Sequence, residues 1–222
     1  PQWIAERSLQ ICRYLVEQDC SAIVVACNTA TAEAIATIRS TLDIPIIGVE
    51  PGIKPAAMQS QNGIVGVLAT EATLNSDKFN ALLATLPEHC QFIKQAGAGL
   101  VPLIEAGLVE TPEMQALLRS HLKPIQDQGA DTLVLGCTHY PFLKKMIRVV
   151  VGDSMTLIDT SDAVVRQLLR QMHQQGLIVS SKHSPKLSLL STANADTLEA
   201  MAERLLHRDL SKYTIYTKTL TL

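Results

Sequence analysis

The sequence predicts an α/β protein built on mainly parallel sheets, and two observations carry that reading. Short continuous aliphatic and β-branched runs recur along the chain, among them SAIVVA (21–26) and TLVLG (132–136). A strand apolar on both faces belongs in a sheet covered on both sides. Between these runs lie longer segments with apolar residues at helical spacing. That alternation makes parallel strands joined by right-handed helical crossovers.

Each element follows in order. WIAERSLQICRYLVEQ (3–18) has helical spacing, SAIVVA (21–26) is a strand, and TATAEAIATIRSTL (29–42) is an Ala-rich helix with Thr or Asn available to cap its start. IPIIGV (44–49) reads as a strand and PGIKPAAMQ (51–59) as a short helix. GIVGVLA (63–69) is a strand, TLNSDKFNALLATL (73–86) a helix and CQFIK (90–94) a short strand. GAGLVPLIEAGL (97–108) is a Gly-rich entry into a helix. TPEMQALLRSHLKPIQDQ (111–128) is a helix with Thr111 as candidate N-cap and Pro112 in its first turn. Strand 132–136, helix 140–151, strand 154–159 and helix 161–175 follow. The polar loop SSKHSP (180–185) is the one linker-like stretch, before strand 186–192 and helix 195–208.

Composition narrows the function classes. With 222 residues, 47% apolar and 18% charged, the chain can bury a substantial core. A net charge of −2 without a Lys/Arg cluster excludes a nucleic-acid footprint, and three Phe, four Tyr and one Trp make no stacking platform. No apolar run reaches membrane-spanning length, so no membrane partner is expected. The five scattered cysteines do not form a disulfide framework and point to a reducing compartment, the cytoplasm.

Two cysteines stand apart. Aligning Cys27 on Cys137 sets SAIVVACNT over DTLVLGCTH, each strand ending in a thiol followed by small polar side chains. In parallel sheets ligands sit beyond the carboxyl ends of strands, where the next helix begins. A thiol there meets backbone N–H groups and a positive helix end, both of which favour thiolate. Two such thiols facing one another suit the transfer of a proton from one face of a carbon to the other. Asn28, Thr29, Thr138 and His139 can supply donors to a carboxylate and acceptors to an ammonium group. The pattern alone leaves each cysteine equally readable as a small buried hydrophobe, the reading preferred for Cys12, Cys20 and Cys90. A metal site is weaker still: Cys137 and His139 offer at most two ligands, so no metal is expected. GAGLVP breaks the G-x-G-x-x-G pattern at Pro102, and no motif indicates pyridoxal phosphate.

At these residues the chain resembles bacterial glutamate racemase, of the aspartate/glutamate racemase superfamily. The blocks VVACNTATA, IPIIGVEPGIKPA, VGVLATEATLNSDKF, LVLGCTHYPFL and LIDTSDAVVRQLL occur in the order of that family. The resemblance implies two pseudo-symmetric α/β domains with the site between them, residues 1–50 plus 160–222 forming the first and 51–159 the second. It implies cofactor-independent interconversion of L- and D-glutamate, supplying D-glutamate for peptidoglycan, with a homodimer as an assembly the family allows. Cys27 would deprotonate D-glutamate and Cys137 L-glutamate. Asn28, Thr29, Thr138 and His139 match substrate-binding positions, and His139 would also assist Cys137. Thr70 and Thr73 match α-carboxylate positions, Thr73 being equally a plausible helix N-cap. Glu105 matches an auxiliary carboxylate, equally readable as a solvated helix charge, and Glu50 reads as structural.

The resemblance departs at the front. The family opens with a strand leading to an Asp-Ser-Gly block and a later Tyr-Gly pair, neither of which is matched from residue 1 onward. The expectation is a piece lacking that first strand, with an exposed sheet edge beside the Cys27 strand. Competing readings are an inactive α/β module that binds an amino acid or protein partner without turnover, and a racemase of an aspartate-like substrate.

Overall fold

The computed structural model describes residues 2–177, 186–206 and 213–221, so the expected linker at 180–185 lies outside the described residues. Helix α1 (Gln2–Glu17) leads to strand β1 (Ile23–Val25), helix α2 (Asn28–Thr41) and strand β2 (Ile46–Gly48). The two strands pair in parallel, Ile23 opposite Ile46, with α2 as the crossover. Among the described residues β1 pairs with β2 alone. Their core is Ile23, Val25, Ala34, Ile35, Ile38 and Ile46 together with Cys12, whose thiol pKa burial pushes up. Cys12 is thus the buried hydrophobe that its place within a helix indicates.

The larger sheet has four parallel strands, β3 (Ile64–Ala69), β4 (Gln91–Ala96), β5 (Thr132–Gly136) and β6 (Thr156–Ile158), in the order β4-β3-β5-β6. The central strands β3 and β5 are apolar on both faces because both faces are covered, and the period of two separates them cleanly. Val65, Val67, Ala69 and Val134 pack with Ile53, Leu74 and Phe79 from α3 (Ile53–Gln59), α4 (Glu71–Asn75) and α5 (Asp77–Leu83). Leu68, Leu133 and Leu135 face the opposite layer, made by α6 (Leu100–Glu105), α7 (Pro112–Asp127) and α8 (Lys144–Val151). Cys137, two residues beyond Leu135, keeps that phase and faces the α6 layer. At the opposite end of the strands, Asp131 accepts hydrogen bonds from Ser60 Oγ, Gln61 N, Asn62 N and Thr132 Oγ1 at 2.7–3.0 Å. Burial opposes ionisation there, but these donors hold its pKa below the ordinary carboxylate value.

Helix α9 (Ser161–Gln174) packs on β2. The chain then forms β7 (Lys186–Ser191), α10 (Ala195–Leu206) and β8 (Thr214–Thr219), the two strands pairing in parallel as a separate sheet. Leu205 of α10 joins the core on the α6 face of the larger sheet.

Several boundaries differ from expectation for local reasons. The helix expected over 73–86 is two, α4 and α5, because Ser76 ends one and caps the next: its hydroxyl donates to Thr73 O and accepts from Phe79 N. The cap of α4 is Thr70, whose Oγ1 accepts from Thr73 N at 3.2 Å, so the N-cap reading of Thr73 is wrong and Thr73 lies inside the helix. Helix α2 is capped by the Cys27 thiol, not by Thr or Asn; Asn28 is already helical. The segment 140–151 begins as a 3-10 turn (Tyr140–Leu143), Pro141 being suited to a first turn, before α8 proper. Strand β8 was not anticipated, although its run TIYTKT carries the β-branched and aromatic residues of a strand. Thr111 caps α7 as expected, accepting from Met114 N. No helix of the described residues is long and apolar enough to cross a membrane.

Candidate active site

The strand order locates the crevice. The β3 crossover leads outward to β4, whereas the β5 crossover leads the other way to β6. Connections diverge between β3 and β5, and a ligand crevice opens beyond the carboxyl ends of two such strands. Beyond β3 stand Thr70 and Thr73, and beyond β5 stands Cys137.

The N-terminus of α2 closes on this crevice. Asn28 is 7% exposed, and its Nδ2 donates to Gly136 O at 3.0 Å, across 108 residues of chain. The residue after one cysteine is therefore tied to the residue before the other. Thr29 Oγ1 lies 3.1 Å from Thr70 Oγ1 and 3.0 Å from Thr73 Oγ1, and the latter two are 2.9 Å apart. These hydroxyls form a closed triangle between the starts of α2 and α4. Asn28 Oδ1 is buried and accepts no hydrogen bond among the described residues. An acceptor in that state is a strong attractor for a cation with N–H donors.

The two thiols have different surroundings. Cys27 is exposed at the first turn of α2, where Ala30 N donates to its Sγ at 3.5 Å. Cys137 is 9% exposed, at the edge of the apolar layer. Burial pushes its pKa up; the His139 backbone N–H pulls it back, the charge of Cys27 raises it, and the Tyr140 N–H lowers it.

His139 stands between Cys137 and a carboxylate. Its Nδ1 is 3.8 Å from Cys137 Sγ and its Nε2 is 3.1 Å from Glu105 Oε1. A carboxylate accepts, so Nε2–H donates to Glu105, and Nδ1 faces the thiol. Glu105, exposed at the end of α6, is the partner of His139 in this contact. Thr138 is half-buried and lines a small cleft with Asn28 and Cys137.

A larger hollow of about 350 Å³ is lined by Asn28, Thr31, Lys54, Thr73, Lys78 and Phe79. Neither thiol lines it. Glu50 makes an ion pair with Lys78 at 2.8 Å on its rim, in keeping with a structural role. Cys20 and Cys90 stand apart from the thiol pair, half-buried. No three His, Cys, Asp or Glu side chains among the described residues are grouped to hold a metal ion. Sequence reasoning missed two contributors. One is the Gly136 carbonyl, a backbone group with no side-chain signal. The other is Tyr140, which reads as an ordinary core aromatic.

Residues 2–168 match the family model for Asp/Glu/Hydantoin racemase. The chain is 49% identical over 213 residues to the glutamate racemase of Cupriavidus pinatubonensis, covering 96% of this chain and 78% of that protein. Glutamate racemase RacE1 of Bacillus anthracis superposes with a TM-score of 0.85 at 27% identity, covering 100% of this chain and 81% of its own. The Escherichia coli glutamate racemase, solved with L-glutamate and the activator UDP-MurNAc-ala, gives a TM-score of 0.84 at 30% identity, covering 100% of this chain and 82% of its own. This chain belongs to the Asp/Glu/hydantoin racemase family, among its glutamate racemases.

Proposed function

We propose that Cys27 and Cys137 are the paired acid and base by which this enzyme interconverts L- and D-glutamate, supplying D-glutamate for peptidoglycan. The observation that supports this is the Asn28–Gly136 hydrogen bond, which ties the residue after Cys27 to the residue before Cys137. With L-glutamate bound, the Cys137 thiolate takes the α-proton: an S–H bond forms, the Cα–H bond breaks, and its electron pair passes into the carboxylate as an enolate. The Cys27 thiol then delivers its proton to the opposite face. From D-glutamate the roles exchange. The chain's own groups supply each proton, so the reading calls for no cofactor.

The surroundings support both half-reactions. His139 Nδ1 accepts the Cys137 proton, giving a thiolate–imidazolium pair that Glu105 stabilises, and this offsets the cost of forming charge in a buried place. The Ala30 N–H and the α2 N-terminus face the Cys27 sulfur. The Thr29, Thr70 and Thr73 hydroxyls turn from one another to donate to the α-carboxylate, where charge builds in the transition state. Asn28 Oδ1 receives the α-ammonium, and Thr138 borders the same cleft.

Residues 1–50 with 160–222, and residues 51–159, make the two units of this reading, α9 packing back on β2. A cytoplasmic setting fits five cysteines, all free. A homodimer rests on the family resemblance and is checked by sedimentation. The test of the mechanism follows glutamate optical activity and deuterium wash-in at Cα from heavy water. Cys27→Ala and Cys137→Ala each abolish racemisation, and full turnover by either variant refutes the two-thiol reading.

A further inference from the structure

We infer that Tyr140 is a positioning residue for the pair His139–Glu105, a role that rests on the two-thiol reading above and deepens it. The two members of that pair come from different elements. His139 stands on the turn after β5, and Glu105 ends α6, which is entered through the corner Gly97–Ala98–Gly99 after β4. Strand β3 lies between β4 and β5, so no backbone ladder joins the turn to the corner. Their relative position depends on side chains.

Tyr140 makes that join. It is fully buried, and its hydroxyl donates to Gly97 O at 3.4 Å. The approach is close enough that a Cβ on Gly97 would fall on the hydroxyl and ring, so glycine is required there for space. The next carbonyl, Ala98 O, accepts from His121 Nε2 of α7 at 2.9 Å, and Gly99, at φ +80°, turns the chain into α6. Six residues on, Glu105 meets His139 Nε2 at 3.1 Å. The corner is therefore held from α7 on one side and, through Tyr140, from the turn that carries His139 and Cys137. The Tyr140 backbone N–H also donates to Cys137 O at 3.0 Å, so one residue is tied both to the turn that carries the base and to the scaffold of its partner carboxylate. A hydrogen bond of 3.4 Å is long, and its value lies in registration more than in strength.

The test is Tyr140→Phe, which removes one oxygen and keeps the ring, so the fold is retained. Glutamate is held by other groups, so the expected result is a fall in kcat of roughly three- to tenfold with KM changed by less than about twofold. A general loss of structure would not sort between enantiomers, whereas this role does. Slower proton transfer at Cys137 makes Cα–H cleavage more rate-limiting from L-glutamate and less so from D-glutamate. The primary isotope effect with α-deuterated L-glutamate rises, and that with α-deuterated D-glutamate falls. Unchanged kcat, or isotope effects that move together for both enantiomers, overturns the inference. His139→Asn is measured beside it. If that variant gives the asymmetry and Tyr140→Phe does not, only the role of Tyr140 fails; if neither does, the reading of Cys137 and His139 as a base pair fails with it.

Discussion

Replacing Asn28 with Ala separates the structural and chemical duties of one side chain. The donor side of Asn28 satisfies Gly136 O at 3.0 Å in a buried place. Losing it leaves that carbonyl unpaired at a cost of about 1–3 kcal/mol. The acceptor side carries the opposite sign, because Oδ1 is buried without a protein partner and its removal returns a similar penalty of about 1–2 kcal/mol. The two nearly cancel in the free protein. Asn28→Ala should therefore lose no more than about 1 kcal/mol, a fall in Tm of about 2–4 °C for a chain of this size. In the substrate complex nothing cancels, because the acceptor is then engaged by a cation. Losing a hydrogen bond to a charged group costs about 1.5–3 kcal/mol, which lowers kcat/KM by roughly 10- to 150-fold. Asn28→Asp reverses the order: it keeps an acceptor for the ammonium but sets a carboxylate oxygen against Gly136 O. It should lose more stability than the Ala variant. Thermal scans by circular dichroism and polarimetric assays of both enantiomers make the measurement. An Ala variant that unfolds far below the parent protein with kcat/KM intact refutes the assignment of Oδ1.

The other expectations follow from single groups. Burial holds the Cys137 pKa above the usual thiol value, and the two-thiol proposal makes its thiolate the base for L-glutamate, so on that proposal kcat/KM for that enantiomer should rise with pH through the alkaline range. His139→Asn should move that rise to higher pH, and a flat profile of initial rates in L-glutamate contradicts it. Asp131→Ala removes the acceptor of the donors from Ser60, Gln61, Asn62 and Thr132 and should cost about 1–2 kcal/mol, discounted for its partial exposure, with activity kept. Because folding lowers the pKa of Asp131, its contribution is present above the unfolded value of about 4 and fades as pH falls through the folded one. Urea unfolding at neutral pH and at pH about 3 should thus show the variant and parent protein converging in acid. Gly107→Ala should destabilise by about 1–2 kcal/mol, since Gly107 has φ +75° and a Cβ there would fall on Arg204, whose guanidinium donates to Ala106 O at 2.9 Å. Equal urea midpoints for variant and parent would show that Arg204 yields freely.

Local signals were sufficient for much of this. The doubly apolar runs at 63–69 and 132–136 admit only a sheet covered on both faces, and that is where β3 and β5 lie. The thiols at 27 and 137 stand out because strand ends and helix starts are written in neighbouring residues. Local reasoning failed where a short polar side chain decided a boundary. Ser76 breaks an otherwise continuous helical pattern, and the Cys27 sulfur caps α2 ahead of the hydroxyl and amide residues that usually do so.

What the amino-acid order determined by itself was the α/β class, the sequence of nearly every element and the identity of the two cysteine turns. Each depends on interactions within a turn or a strand, whose period is legible along the chain. Tertiary structure alone decided that Asn28 reaches Gly136, that the hydroxyls of Thr29, Thr70 and Thr73 meet, and that Glu105 closes on His139. Those contacts join residues from 34 to 108 positions apart. They arise from strand order and from how helices far apart in the chain pack against one another, which no local pattern encodes.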